Sequence, residues 1–247
     1  MNRYQHLFGP VPSRRFGRSL GIDLSVRKTC TIDCIFCQLG RTTCRTLERK
    51  EYVPLNEVKQ ELLDWKASGG MSDVITLSGS GEPTLHTGFG DILSFVKEHF
   101  STPSVLLSNG TLFSLTEVRR AAACADVVKL SLSAWDQASF QRVNRPHEAL
   151  VFEEVVEGMR AFRGEYAGRI WLEVFLVDGV NAALEDVKKI ARLAETIRPD
   201  EVHLNTAVRP PAEAEVRAVS PGHLVSCADL FHPPATVIAS FSAHASG

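Results

Sequence analysis

Three cysteines lie within eight residues near the start of the chain, in the segment VRKTCTIDCIFCQLG of residues 26–40. Cys30, Cys34 and Cys37 follow the spacing C-x3-C-x2-C. Structural zinc sites usually take four ligands in two spaced pairs, whereas iron–sulfur clusters are held by cysteine thiolates. Disulfide chemistry needs only two cysteines. The spacing therefore favours an iron–sulfur cluster in which one iron of a [4Fe–4S] cube has no protein ligand and can bind a reactive molecule.

Zinc is the alternative for these cysteines, because three other side chains could supply a fourth ligand: His6, His86 and Cys44. None of the three is in a paired spacing with the cysteines. The remaining cysteines are scattered along the chain, at Cys44, Cys124 and Cys227. We expect each to be an unpaired thiol, since a domain of this size in a reducing cytosol does not depend on disulfides.

The elements that position the cysteines follow from an alternation of short β-branched or apolar runs with longer helical patterns. Strands are predicted at Ser19–Val26, Val74–Ser78, Ser104–Ser108, Val127–Ser133, Ile170–Val177 and Glu201–Ala207. Helices are predicted at Leu55–Ser68, Phe89–Phe100, Leu115–Ala123, Phe152–Arg163 and Ala182–Ile197. This alternation indicates an α/β fold with parallel strands and right-handed crossovers. Six βα units predict a partial (β/α)6 TIM-like barrel, with a flat doubly wound sheet as the alternative.

No low-complexity linker divides the 247 residues, so a single domain over 1–247 is predicted. Its core covers about residues 17–208, and an irregular C-terminal extension, marked by Pro-Pro and Pro-Gly pairs, covers 209–247. A capping box of Ser114 and Glu117 predicts the start of the third helix. No apolar run approaches the roughly 20 residues of a membrane helix, and no signal peptide is visible, so we expect no membrane contact and a cytoplasmic location.

Polar and glycine-rich segments follow the predicted strands at their carboxyl ends, where folds of this class bind ligands. They are GSGEPTL (79–85), SNGT (108–111), SLSAW (131–135), VDGVN (177–181) and NTAVRPP (205–211). Turn formation alone explains SNGT and VDGVN well, but it explains GEP less well. We expect these segments to meet the cysteines at one rim of the barrel.

Charge is unevenly distributed along the chain. Residues 1–50 contain ten Lys or Arg and three Asp or Glu, a balance of +7, so that with a net charge of −2 the remainder carries −9. The basic end would suit an anionic ligand, an acidic protein or nucleic acid, and local compensation of charge is the alternative. Arg14, Arg15 and Arg18 are candidates for binding a phosphate or carboxylate of a substrate, or form a solvated cluster.

One lysine and two tryptophans near the predicted site are interpreted as stabilising the fold rather than contacting a substrate. Lys129 leads into the fourth predicted strand, and we interpret its amine as shielding a strand edge rather than facing the cavity. Trp135 and Trp171 are interpreted as packing residues rather than as platforms on which a substrate stacks.

The pattern C-x3-C-x-aromatic-C, with Phe36 as the aromatic residue, resembles the signature of the radical S-adenosylmethionine (radical SAM) superfamily. GEP at Gly81–Pro83 resembles the second-strand motif of that superfamily, and the resemblance spans residues 17–208. It implies an enzyme in which Cys30, Cys34 and Cys37 hold a [4Fe–4S] cluster. One electron from this cluster would cleave S-adenosylmethionine, and the resulting 5′-deoxyadenosyl radical would abstract hydrogen from an unidentified substrate. A flavodoxin- or ferredoxin-like one-electron donor is the expected partner.

The resemblance also implies which residues bind S-adenosylmethionine. Glu82 and its neighbours Gly79 and Gly81 correspond to the loop that binds the methionine amino group, and Phe36 would lie near the adenine. Asn109 and either Ser131 or Ser133 occupy strand-end positions at which family members contact the ribose or the carboxylate, with turn formation as the alternative for Asn109. Asn205, at the end of the sixth predicted strand, is a further candidate.

The segments FGPVPSRRFGRSLGIDL and KTCTIDCIFCQLGRTT resemble small proteins related to the tRNA wyosine-forming (4-demethylwyosine) synthases. Those enzymes rebuild a guanine of tRNA with pyruvate and are described with a second cluster, held by cysteines upstream of the radical motif. This chain has no cysteine before Cys30. This departure argues against the pyruvate–tRNA reaction. The alternatives to a radical SAM enzyme of unidentified substrate are a tRNA- or nucleoside-modifying enzyme of wyosine type, a glycyl-radical activase, and a metal-binding RNA module without catalysis. The substrate class, whether small molecule, nucleoside, tRNA or protein, stays open.

Overall fold

A computed structural model describes residues 3–13 and 15–238 of the chain. The strands in these residues are β1 (Leu7–Ser13), β2 (Gly17–Asp23), β3 (Thr29–Cys30), β4 (Cys44–Arg45), β5 (Val74–Ser78), β6 (Ser104–Leu107), β7 (Val127–Ser131), β8 (Arg169–Leu176), β9 (Glu201–Thr206) and β10 (Thr236–Val237). The helices are α1 (Leu55–Ala67), α2 (Phe89–His99), α3 (Thr116–Ala122), α4 (Gln137–Asn144), α5 (Phe152–Glu165), α6 (Leu184–Ile197) and α7 (Pro221–Ala228). None of these helices is long and apolar enough to cross a bilayer.

The main sheet has the strand order β1–β2–β5–β6–β7–β8–β9–β10. Only the β1–β2 pair is antiparallel, and every other neighbouring pair is parallel. From β2 onward the strands of this sheet follow one another in chain order, whereas a doubly wound sheet reverses its order at a switch point. This topology confirms an α/β fold of partial TIM-barrel type, and its six central parallel strands are the six that the sequence predicts.

Alternating residues of the parallel strands separate an apolar outer face from a polar inner face. Leu77, Val128, Leu172 and Leu204 are buried in the hydrophobic core that the helices cover. The side chains of Thr76, Lys129, Glu173 and Asn205 line an internal cavity instead. Because successive residues of a strand point to opposite faces, the alternation of apolar and polar residues places these four side chains inside the barrel.

The loop between β1 and β2 reaches across the sheet to β8, which lies four strands beyond β2 in the sheet order. The ring of Phe16 stacks on the indole of Trp171, with 4.7 Å between the ring centres. The guanidinium of Arg15 forms an ion pair with Glu173. The loop therefore closes the end of the barrel opposite the cysteines, and Trp171 is a packing residue, as predicted.

Several boundaries differ from the prediction. The first parallel strand ends at Asp23 rather than Val26, because the Asp23 carboxylate accepts a hydrogen bond from the Ser25 amide (2.9 Å) and starts a turn. The predicted capping box of Ser114 is wrong, since Leu115 is the N-cap of α3 and makes no side-chain cap. A capping box does occur at α4, between Asp136 and Ser139.

The described residues also contain elements that were not predicted from the sequence: β1, β3, β4, α4, α7 and β10. Helix α7 lies in the segment predicted to be irregular, and its start has ordinary signals, with Ser220 as N-cap and Pro221 at the first helical position. Residues 239–247 of the predicted extension lie outside the described residues.

Helix α5 packs very closely on the segment before α3. A Cβ atom added to Gly158 would lie 2.4 Å from the backbone carbon of Phe113. Gly164, in the last turn of the same helix, has no such neighbour. The close approach at Gly158 therefore requires glycine, while the position of Gly164 does not.

Candidate functional site

The three clustered cysteines lie after β2, at the carboxyl end of the parallel strands, and line one cavity of about 460 Å³. Cys30 ends the short strand β3, which pairs with β4. The Cys37 amide donates to the Cys34 carbonyl (3.1 Å), and the Gly40 amide donates to the Cys37 carbonyl (3.2 Å). These successive turns fold the cysteine segment back on itself and bring all three thiols to the same cavity.

Helix α4 supports the cysteine segment from behind. The amides of Asp33 and Ile35 donate to the carbonyls of Asn144 (2.9 Å) and Val143 (3.1 Å), at the end of the helix. The Asn144 side-chain amide then donates to the sulfur of Cys34 at 3.1 Å. Asn144 was not among the residues predicted from the sequence. The capping box of α4 could have revealed the helix, but no local signal connects residue 144 to residue 34.

The GEP loop packs against the backbone that leads into the cysteines. Gly79 has φ +115°, and a Cβ atom there would lie 2.3 Å from the Asp23 carboxylate. A Cβ atom on Gly81 would lie 2.0 Å from the Thr29 carbonyl oxygen, which accepts a hydrogen bond from the Glu82 amide (3.0 Å). Glycine is therefore needed at both positions, because any side chain would push this loop away from the cysteine segment.

Glu82 connects the GEP loop to the loop after β6. One carboxylate oxygen accepts from the Thr84 amide (3.1 Å), the Thr84 hydroxyl (2.7 Å) and the Ser108 hydroxyl (2.7 Å). The other accepts from the Asn109 amide (2.8 Å). Burial raises the pKa of this carboxyl group, and the hydrogen bonds partly offset this by lowering it. With four donors the buried carboxylate is well satisfied, so Glu82 holds the two loops together.

Asn109 both shapes its turn and contacts the cysteine segment. Its carbonyl oxygen accepts from the Thr111 amide (3.0 Å). Its amide nitrogen donates to the Thr31 hydroxyl (2.9 Å) and lies 3.5 Å from the sulfur of Cys30. Two of the three sulfurs therefore have an amide donor, one from Asn109 and one from Asn144.

The free thiols of Cys30 and Cys34 are poor acids in this environment. Burial, and then the charge of Glu82, raise the pKa of Cys30 to about 12. Burial also raises the pKa of Cys34, against the hydrogen bond from Asn144 and the charge of Lys28. Amide donors and a lysine ammonium group favour sulfur in its anionic form, which is the form that binds metal. The donor set thus fits three thiolates stabilised by a bound cationic group.

The residues considered for a zinc site do not join the cysteines. Both ring nitrogens of His86 are engaged, one with the Val53 carbonyl (2.9 Å) and one with the Gly88 amide (3.0 Å). His6 instead pairs with Glu57. Within residues 3–13 and 15–238, no three His, Cys, Asp or Glu side chains are placed to hold a single metal ion.

The floor of the cavity, opposite the cysteines, carries a buried ion-pair network. Glu173 pairs with Arg15, with the Lys129 amine (2.6 Å) and with the Asn205 amide (3.1 Å). Burial would raise the pKa of Glu173, but Lys129 and Arg15 lower it to about 2. The interpretation of Lys129 as shielding a strand edge is wrong, because β7 lies inside the sheet and the Lys129 side chain lines the cavity.

Seven of the eight residues predicted to bind cofactor line the same cavity as the cysteines. They are Phe36, Gly79, Gly81, Glu82, Asn109, Ser131 and Asn205. The Phe36 ring stacks on Phe175 at 4.1 Å. Ser133 is not brought to the cavity. It is buried, its hydroxyl accepts from the Phe175 amide (3.0 Å), and its carbonyl accepts from Asn181 (2.8 Å), so its polar groups serve the fold.

The arginine cluster near the N-terminus does not act as a unit. Arg14 lies outside the described residues. Arg15 points into the barrel, whereas Arg18 is exposed and pairs with Asp73 (3.3 Å). More generally, most basic residues of the first fifty are compensated locally, through ion pairs made by Arg3, Arg15, Arg18, Arg41, Arg49 and Lys50.

Two relatives are similar to this chain in sequence. The chain is 34% identical to a protein of Brachyspira hyodysenteriae named GTPase Obg, over 87% of this chain and 32% of that protein. It is 32% identical to a UPF0026 protein of Methanocaldococcus jannaschii, over 85% of this chain and 66% of that protein. The chain therefore spans about a third of the length of the Brachyspira protein and about two thirds of the length of the Methanocaldococcus protein.

A solved structure of TYW1 with a lysine–pyruvate adduct bound has a similar fold. It superposes with a TM-score of 0.66 at 20% identity, over 88% of this chain and 74% of that chain. At this identity the likeness concerns the fold alone. The family model described as Radical SAM superfamily matches residues 24–194, which include the three cysteines, the GEP loop and the strands β5 to β8. The chain therefore belongs to the radical SAM superfamily, whose members are enzymes of S-adenosylmethionine-dependent radical chemistry.

Proposed function

We propose that this protein is a radical SAM enzyme in which Cys30, Cys34 and Cys37 hold a [4Fe–4S] cluster next to bound S-adenosylmethionine. The observation that carries the proposal is that the three thiols, the GEP loop and the SNGT turn line one cavity at the carboxyl ends of the strands. When bound, the cluster and its cofactor supply reductive cleavage to a 5′-deoxyadenosyl radical, which abstracts hydrogen from a substrate.

The residues of this chain would bind and orient these groups. Asn109 and Asn144 donate hydrogen bonds to two of the sulfurs and so favour their anionic form. Gly79 and Gly81 let the GEP loop pack against Asp23 and Thr29, which places this loop beside the cysteines, where the methionine end of the cofactor would bind. Phe36, held in place by stacking on Phe175, presents an aromatic surface for the adenine.

A one-electron donor is needed, and we propose that it docks on the surface formed by Arg27, Leu39 and Arg45. All three residues are exposed and flank the cysteine segment, and Leu39 is 60% exposed. Among the described residues, neither arginine has a carboxylate within ion-pair distance, in contrast to most basic residues of the first fifty. An exposed apolar residue and two arginines without an ion-pair partner among the described residues suit an acidic flavodoxin or ferredoxin.

This docking is tested by the rate of reduction with a flavodoxin donor. Reversing the charge at Arg27 and Arg45 should slow the reduction, and added salt should slow it in the wild-type protein. Arg169→Glu, at the opposite end of the barrel, is the matched control. A rate that depends on neither salt nor these arginines would rule this surface out.

The main proposal is tested by anaerobic reconstitution with iron and sulfide, followed by dithionite and S-adenosylmethionine. We expect 5′-deoxyadenosine from the wild-type protein and from Cys124→Ser, and none from serine variants of the three clustered cysteines. Two outcomes would contradict the proposal. One is a protein that, prepared anaerobically, carries zinc bound through four ligands, and the other is a reconstituted protein that leaves S-adenosylmethionine intact.

The other candidate functions give different results in the same preparation. A metal-binding RNA module would retain RNA without forming 5′-deoxyadenosine. A glycyl-radical activase would produce a glycyl radical signal on a co-purified protein. A wyosine-type enzyme would consume pyruvate in the presence of tRNA, although the local pairing of most basic residues at the N-terminal end gives RNA little uncompensated charge to bind.

A further inference from the structure

The floor of the cavity carries more positive charge than its carboxylate balances. Arg15 and Lys129 both pair with Glu173, which is their only carboxylate partner among the described residues. Glu173 is ionised at neutral pH, since its pKa lies near 2. One elementary charge of the two cations is therefore left over in a buried site, where an uncompensated charge is costly.

Three polar atoms around this network are buried without a hydrogen-bond partner in the part of the chain that the structure describes: Arg15 Nε, Trp171 Nε1 and His203 Nδ1. Their residues adjoin one another. Phe16, next to Arg15, stacks on Trp171, and the rings of Trp171 and His203 meet edge to face at 5.0 Å. A buried donor or acceptor that is left without a partner destabilises the fold, so three such atoms in one region indicate a missing partner.

The chemistry of these atoms defines the partner. The guanidinium and the indole can only donate, whereas the neutral His203 ring gives its Nε2 hydrogen to the Glu201 carboxylate (3.0 Å), so its Nδ1 accepts. The two buried donors, Arg15 Nε and Trp171 Nε1, together with the surplus positive charge match an anion with several oxygen acceptors. Asn205 and Ser131, which line the cavity between this floor and the cysteines, offer further polar groups to the rest of such a molecule.

We propose that the barrel floor around Arg15 and Lys129 is a binding site for the acidic group, a carboxylate or a phosphate, of the substrate. That the acidic group belongs to the substrate rests on the proposed function, whereas the binding of an anion at this floor does not. The acidic group would be held between the β1–β2 loop and the strands β7 to β9. The remainder of the molecule would then extend through the shared cavity toward the cysteines.

The network predicts opposite effects for two substitutions. Arg15→Gln removes a cation and an unpaired donor, so it should weaken binding of the anion by about tenfold or more. Glu173→Gln removes the competing carboxylate and leaves both cations uncompensated, so it should strengthen binding. Arg18→Gln alters an exposed arginine three residues away and should leave the affinity nearly unchanged. A purely structural network would not give changes of opposite sign.

The experiment titrates the full chain with inorganic phosphate and, separately, with acetate at low ionic strength, before and after reconstitution with iron and sulfide. Binding is followed by phosphorus-31 line width for phosphate and by saturation-transfer NMR for acetate, with thermal unfolding as the check on folding. We expect saturable binding of at least one anion, and the tighter one identifies the acidic group.

Absence of saturable binding of both anions in the wild-type protein and in Glu173→Gln would overturn the proposal. Equal affinities of Arg15→Gln and Arg18→Gln would also overturn it. If Arg15→Gln does not fold, the strengthening in Glu173→Gln decides the outcome. Cleavage of S-adenosylmethionine is measured on the same samples, so that failure of the radical chemistry and failure of the anion site are seen separately.

Discussion

The side-chain amide of Asn144 donates a hydrogen bond to the sulfur of Cys34 at 3.1 Å, across 110 residues of sequence. The helix that carries Asn144 also holds the cysteine segment through the backbone amides of Asp33 and Ile35. This single residue therefore links the position of the cysteine segment to the electrostatic environment of one of its sulfurs.

Replacement of Asn144 by alanine should make the reduction potential of the reconstituted cluster more negative. A hydrogen bond to a cluster sulfur stabilises the more negatively charged, reduced form, and the substitution removes this bond while leaving the backbone contacts. The potential is measured by redox titration with electron paramagnetic resonance, after iron content has been matched. Gln141→Ala, on the exposed side of the same helix, is the control. An unchanged potential in Asn144→Ala would show that the contact has no electronic effect.

Replacement of Glu82 by glutamine should destabilise the fold by about 1–3 kcal/mol. The carboxylate accepts four hydrogen bonds, and an amide must direct its NH2 group at one or more of these donors. Urea unfolding of the protein without iron measures the effect independently of any cofactor. Glu48→Gln, at an exposed carboxylate, should change stability little. Equal stability of Glu82→Gln and wild type would contradict the hydrogen-bond network described for Glu82.

Two glycine-to-alanine substitutions in helix α5 should have opposite effects. Gly158→Ala places a Cβ atom against the Phe113 backbone and should destabilise by about 1–3 kcal/mol. Gly164→Ala has free space and should stabilise by up to about 0.5–1 kcal/mol, because alanine loses less backbone entropy in a helix. Thermal and urea unfolding of the two variants provide the comparison. Stabilisation by Gly158→Ala would mean that α5 is not packed against Phe113 as described.

The stabilising effect of Glu173 should disappear in acid. Its pKa is lowered from an ordinary value of 4.5 to about 2, so its ionised form is favoured in the folded protein. The stability that it contributes is complete above pH 4.5 and is lost as the pH falls toward 2. The difference in unfolding free energy between wild type and Glu173→Gln should therefore shrink over this range. A difference that is constant from pH 6 to pH 3 would show that the Arg15 and Lys129 pairs do not stabilise the carboxylate.

The sequence was sufficient to predict the six central strands, because each is a β-branched or apolar run separated from the next by a helical pattern. It was insufficient for β1, whose sequence LFGPVPS contains two prolines that indicate a turn. Proline is tolerated in β1 because this strand lies at the edge of the sheet, where its missing amide costs no ladder hydrogen bond. The short helices α4 and α7 were missed although each begins with an ordinary signal, the capping box of Asp136 and the pair Ser220-Pro221.

At the site, local sequence identified the residues of the cysteine segment, the GEP loop and the strand ends, since their spacing is compact. It did not identify contacts between distant segments. The inward side chain of Lys129 depends on a carboxylate of the neighbouring strand, and the floor depends on a loop that reaches from β2 to β8. Ser133 resembles a strand-end ligand in sequence, yet the amide of Phe175 uses its hydroxyl.

The loop that carries Arg15, described above as closing the barrel, precedes the stretch that matches the superfamily, and Asn205 follows that stretch. The floor of the cavity thus combines Lys129 and Glu173, which lie within the matched stretch, with residues from both flanks. We expect evolution to be able to exchange the flanking parts while the cysteine segment stays intact. Grafting the first sixteen residues of a relative onto this chain would then alter which molecules are accepted without rebuilding the machinery that activates them.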